Sequence, residues 1–227
     1  MNKYIIAGVV VVMGVYAVWL VIWHGGSVSQ QIADTAKNLV IAPINPDEAK
    51  NITNLDNQTT VKNMTSATLS TNMGSIEIEF FDKEAPNTVA NFRKLATAGF
   101  YNGVKFHRVI KGFMIQGGDP LTKDDTKIDM WGTGDPGYKF ADEINPKSDL
   151  YVKTGYAKGI VAMANSGENT NDSQFFIMTE TYPLPPSYTI FGKVTSGQDV
   201  VDKIANVSTC PGDRPLEPIV IKSISLQ

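Results

Sequence analysis

Hydrophobic and polar positions divide the chain into three textures. From Tyr4 to Trp23 no residue is charged and nearly all are apolar, with no polar face at helical spacing. Twenty helical residues at about 1.5 Å each span roughly the 30 Å of a bilayer core. Tyr4, Trp19 and Trp23 stand towards the ends, where interfacial aromatics belong, and Lys3 with the amino terminus is the positive flank. No further lysine or arginine follows until Lys37. This pattern predicts an N-terminal signal anchor over residues 1–26, crossing the membrane with residues 4–23 and leaving everything after it on the extracytoplasmic side. Secretion after signal-peptide cleavage is the alternative, but "WLVIWHGG" lacks the small-x-small pattern of a cleavage site.

Residues 27–66 carry no Phe, Tyr or Trp and are rich in Asn, Thr, Ser and Gln. A stretch such as "NITNLDNQTTVKNMTS" has too little apolar surface to offset chain entropy, so it reads as a flexible polar linker.

The third texture, residues 67–227, reads as one folded domain. "ATLSTNMGSIEIEFF" alternates around "NMG", which predicts a hairpin with Ile76, Ile78 and Phe80 on one face and Glu77 and Glu79 on the other. "APNTVANFRKLATAGFY" predicts a helix: Pro86 suits the first turn, Val89, Phe92, Leu95 and Ala96 form one stripe, and Gly99 stops it. Short strand-like runs follow at 104–110, 113–117, 159–164, 174–179 and 189–194. "GQDVVDKIANV" predicts a second helix with Val200, Val201, Ile204 and Val207 inward, and "EPIVIKSISL" a last strand. Many short strands with two separated helices predict a mainly β fold, a closed antiparallel barrel capped by the helices.

Composition and charge narrow the function classes. Hydrophobic residues make up 42% and charged residues 19%, a globular balance. A net charge of −3 argues against a nucleic-acid binder. Cys210 is the one cysteine, so no intramolecular disulfide forms, and His24 and His107 are the two histidines, so no multi-histidine zinc site forms in the domain. No metal or other cofactor is expected.

The candidate chemistry lies in "FHRVIKGFMIQGGD", residues 106–119, where polar groups stand among apolar ones. Lys111-Gly112 can close a turn between two antiparallel runs. Such pairing brings Arg108 near Met114 and Gln116, setting a guanidinium beside an apolar floor. His107, adjacent to Arg108, points the other way and reads as a satisfied structural histidine. Asp119 reads as a loop-capping residue.

These residues resemble the signature of the cyclophilin peptidyl-prolyl isomerases. "GIVAMANSGENTNDSQFFI" (159–177), "GTGDPGYKFADE" (132–143) and "YTIFGKVTSGQDVVDKI" resemble further segments of that family, in the family's order. The resemblance implies an eight-stranded antiparallel barrel with two capping helices, an isomerase acting on X-Pro bonds, and proline-containing polypeptides as substrates. It implies that Arg108 reaches the prolyl nitrogen or adjoining carbonyl and that Gln116 orients the arginine or the peptide. Phe113, Met114 and Phe176 would line the proline pocket. Ala164 and Asn165 would line the groove, the Asn165 backbone holding the substrate chain; Gln174 would help shape the neighbouring wall and Gly132 the adjacent secondary pocket. Leu184 matches the family. Tyr188 stands where many members have histidine and Pro183 where many have tryptophan. With the anchor, the expectation is a monomeric isomerase that helps exported proteins fold. A proline-binding module without turnover is the competing reading, which retention of Arg108 disfavours.

Overall fold

A computed structural model describes residues 64–227. The expected anchor, residues 1–26, and nearly all of the expected linker, 27–66, lie outside the described residues. Among the described residues no helix is long and apolar enough to cross a membrane.

The alternating segment forms β1 (Ser66–Thr71) and β2 (Ser75–Phe80), paired antiparallel through a turn at Asn72–Gly74. In β2, Ile76, Ile78 and Phe80 are buried while Glu77 and Glu79 are exposed, as a period of two requires. Helix α1 (Pro86–Thr97) buries Val89, Phe92, Leu95 and Ala96, and Gly99 follows it at φ 66, the left-handed geometry of a helix stop. Its N-cap residue, Ala85, has no side chain to satisfy the first amides. Glu143 does so from another part of the chain. Its Oε1 accepts from the N–H and amide of Asn87 at 3.0 and 2.8 Å, and its Oε2 from the N–H and hydroxyl of Thr88, both at 2.8 Å.

Then follow β3 (Arg108–Ile110), β4 (Met114–Gly117), β5 (Ile160–Met163), β6 (Phe175–Met178) and β7 (Ile190–Ser196). Helix α2 (Gln198–Ala205) buries Val200, Val201, Ile204 and Ala205 and ends before Val207, which packs partly buried beyond it. A two-residue pair, β8 (Thr209–Cys210) and β9 (Arg214–Pro215), precedes β10 (Ile221–Leu226). Eight strands make one antiparallel sheet in the order β10-β1-β2-β7-β5-β6-β4-β3.

The expected closed barrel is corrected in one respect. The end strands β3 and β10 do not pair as a ladder. The seam is bridged just before β3, where Phe106 N–H donates to Ile219 O at 2.9 Å and Ile221 N–H to Val104 O at 2.8 Å. β3 itself turns to another partner: Val109 N–H donates to Asp213 O at 2.7 Å, which covers the strand edge with the β8–β9 turn.

Strands β5 and β6 and the first three residues of β7 are buried on both faces, which is why β5 and β6 run continuously apolar. Ile115, Val161, Met163, Phe175, Ile177 and Phe191 point into the main core with both helices. The alternate residues Met114, Ile160, Ala162, Phe176, Met178 and Ile190 form a second apolar layer on the opposite face.

Candidate active site

The second layer is the floor of the candidate site. The β3–β4 hairpin turns through Lys111-Gly112, with Gly112 at φ 73 and Phe113 N–H donating to Ile110 O at 3.1 Å. Its register sets Arg108 opposite Gln116 and Ile110 opposite Met114. On the other side, β4 pairs with β6 so that Gln116 faces Phe176. Three strands thus place a guanidinium, an amide and two apolar side chains on one surface.

A cavity of about 370 Å³ opens there. Arg108 and Gln116 line it from the hairpin together with Phe113 and Met114; Phe176 lines it from β6 and Ala164 and Asn165 from the end of β5. Leu184 and Tyr188 close it from the long segment before β7. The Tyr188 ring stands edge-on to Phe176 with centroids 5.5 Å apart. Its backbone is pinned by two phenols, one buried and one half-buried: its carbonyl accepts from Tyr156 Oη at 2.8 Å and Tyr151 Oη at 3.1 Å.

Gly132 and Gln174 stand behind this wall rather than in it. Gln116 Nε2 donates to Gln174 Oε1 at 3.1 Å, and Gln174 Nε2 donates to the carbonyls of Gly132 and Gly134 at 3.1 and 2.9 Å. The amide of Gln116 is therefore oriented by a chain of hydrogen bonds. Asp119, fully buried, anchors the far end: its carboxylate accepts from the N–H groups of Leu121 at 2.7 Å, Gly132 at 2.5 Å and Gly134 at 3.2 Å. A Cβ on Gly134 would lie 2.1 Å from Asp119 Oδ1, so this close approach requires glycine.

Asn165 spends its side chain on structure, with Nδ2 donating to Ser187 O at 2.8 Å and Oδ1 accepting from Gly167 N–H at 3.3 Å. Among the described residues no hydrogen bond engages its backbone N–H or C=O, which leaves both available to an extended peptide.

Among the described residues Arg108 is the one cation lining the cavity, and its side chain is 44% exposed. Its Nε lies 3.5 Å from Asp213 Oδ2. Sequence reasoning missed Asp213. It lies 105 positions away (213 − 108) in a turn, and no local pattern marks it. Its φ of 63, unusual for a side chain with a Cβ, is a sign of strain that only the structure reveals.

His107 points away from the cavity, into the interior below Gly132. The expectation that it is satisfied is corrected: it is 7% exposed, and neither ring nitrogen has a partner among the described residues. Burial, opposed by Asp119 and aided by Arg108, pushes its imidazole down from the usual 6.5 to about 4. Neutral at ordinary pH and facing the core, it is structural.

Comparison with known proteins gives a consistent result. The sequence model described as "Cyclophilin type peptidyl-prolyl cis-trans isomerase/CLD" matches residues 66–226. The chain is 46% identical to a probable peptidyl-prolyl cis-trans isomerase A of Mycobacterium leprae, over 71% of this chain and 91% of the relative. It is 47% identical to a peptidyl-prolyl cis-trans isomerase of Schizosaccharomyces pombe, over 72% of this chain and all of the relative. Among solved structures, a cyclophilin-type isomerase of Cryptosporidium parvum superposes with a TM-score of 0.63 at 34% identity, covering 72% of this chain and 97% of that one. Another structure of that protein was determined in the presence of the dipeptide Ala-Pro and superposes with a TM-score of 0.62.

Proposed function

Since the chain belongs to the cyclophilin-type peptidyl-prolyl cis-trans isomerases, we propose that Arg108 is its catalytic group and that it serves exported polypeptides from the outer side of a membrane. The observation that carries the first part is the 370 Å³ cavity, which sets one guanidinium above an apolar floor.

Rotation about a peptide bond faces about 18–20 kcal/mol because the nitrogen lone pair is delocalised into the carbonyl. No bond needs to break. In the twisted transition state the lone pair returns to nitrogen, which becomes a hydrogen-bond acceptor. A guanidinium N–H aimed at that nitrogen therefore stabilises the transition state and not the planar ground state. Phe113, Met114 and Phe176 hold the proline ring while the other half of the bond turns, and they exclude the water that favours the polar planar amide. Gln116, oriented through Gln174, positions the guanidinium or the peptide. The free backbone of Asn165 holds the chain alongside, with Ala164, Leu184 and Tyr188 as walls. Raising the rate from about 0.01 to 100 per second takes roughly 5–6 kcal/mol, within reach of one directed donor in a dry site with an anchored ring.

The second part rests on the sequence. The uncharged run Tyr4–Trp23 and the basic flank at Lys3 favour a single-pass anchor with residues 67–227 extracytoplasmic. There the enzyme acts as a monomeric foldase, because X-Pro isomerisation limits the folding of newly exported chains. The central test follows cis–trans exchange of a short Ala-Pro peptide by NMR with full-length protein. Arg108→Ala lowers the catalysed rate by on the order of 10²-fold or more. Turnover unchanged by the substitution overturns the assignment, and binding without any turnover identifies a proline-binding module instead.

A further inference from the structure

Beside the proline pocket lies a larger cavity of about 680 Å³, and the two share Asn165 and Tyr188 in their walls. Asn165 Nδ2 donates to the carbonyl of Ser187, which lines the second cavity, at 2.8 Å. Asp142 and Glu168 line that cavity, and among the described residues no lysine or arginine does. Asp142 accepts from the Asn169 N–H at 2.8 Å and the Asn171 amide at 2.7 Å, neutral donors that orient the carboxylate without cancelling its charge. Glu168 is exposed, with the Asn169 amide at 3.4 Å. Among the described residues neither carboxylate has a lysine or arginine partner within ion-pair distance. The proline pocket instead has Arg108 as its charged lining residue.

Two uncompensated carboxylates in a concave wall concentrate negative potential. No set of metal-ligating side chains gathers there or elsewhere among the described residues, so the cavity suits an organic cation better than a metal ion. Ile144 and Pro186 add apolar surface for the aliphatic stem of a long basic side chain. An extended peptide advances about 3.3 Å per residue, so a chain seated in one cavity enters its neighbour within a few positions. We infer that this acidic basin is a specificity subsite for a lysine or arginine lying within a few residues of the isomerised proline. The inference rests on the reading of the first cavity as the proline pocket.

The test titrates full-length protein with three Ala-Pro peptides, flanked by lysine, by the neutral isostere norleucine, or by glutamate, and follows binding by NMR. The lysine peptide binds about three- to tenfold more tightly than the neutral one, the glutamate peptide more weakly, and added salt compresses the spread. Glu168→Lys abolishes or reverses that order. Equal affinities in the wild type, or an order that Glu168→Lys leaves untouched, overturn the inference. Turnover of the unflanked Ala-Pro peptide is measured in parallel. Its absence overturns the isomerase reading of this chain, whereas the binding order decides the basin by itself.

Discussion

Arg108 and His107 are neighbours in sequence with opposite environments, and each yields a prediction. In the proposed reaction the guanidinium must point at a nitrogen that accepts only transiently, so its orientation matters as much as its charge. Asp213 supplies a carboxylate 3.5 Å from Nε, and its backbone is fixed to the same strand through the Val109 N–H. Glycine at 213 keeps that backbone bond and relieves the left-handed φ of 63. Asp213→Gly therefore leaves stability unchanged or raises it by up to about 1 kcal/mol, while lowering kcat about two- to fivefold with little change in KM. Activity that merely follows the melting temperature contradicts a positioning role. His107 titrates near 4 in the fold and near its usual 6.5 in the unfolded chain. Between those values the unfolded state binds more protons, so the native state loses stability as pH falls from about 6.5 to about 4, at up to about 1.4 kcal/mol per unit. Denaturant unfolding at pH 7 and pH 5 shows a smaller acid loss in His107→Gln than in the wild type.

At the level of elements, local signals and distant partners contribute differently. The β3–β4 hairpin was legible because Lys111-Gly112 and two alternating runs specify its turn and register, and the register sets Arg108 opposite Gln116. The stripe of α1 was legible for the same reason, but its cap was not. Ala85 offers no acceptor, and Glu143, more than fifty residues later, supplies both carboxylate oxygens to the Asn87 and Thr88 donors. Removing that carboxylate leaves the amides at the helix start unpaired and loses a favourable charge at the positive end of the dipole. Glu143→Ala accordingly lowers stability by about 1–2 kcal/mol, read as a reduced denaturation midpoint at unchanged m-value. An unchanged midpoint shows that water replaces the cap without loss. The loop at Gly132–Gly134 depends on distant partners in the same way, since Asp119 and Gln174 grip its N–H and C=O groups from two other segments.

For the whole molecule, the proposed orientation makes a prediction of its own. With residues 4–23 in the bilayer and Lys3 inside, protease added to spheroplasts, or to cells without an outer membrane, digests the domain. Protection of the domain in such cells contradicts the orientation. The sheet as a whole shows how far chain patterns reach. Alternation in β2 and the helix stripes depend on nearest neighbours along the chain, so the sequence by itself determined the eight strands of the large sheet, both helices and the apolar identity of Met114, Phe113 and Phe176, but not the β8–β9 pair. It also carried the motifs that mark the family. It could not say that β3 would leave the β10 seam to bond the turn at Asp213, nor that both ring nitrogens of His107 would be buried without partners among the described residues. It gave no sign that Asp142 and Glu168 would share a wall beside the proline pocket. Those outcomes depend on which segments meet when the sheet curls. Contacts across that closure join residues far apart in sequence, and only the tertiary structure decides them.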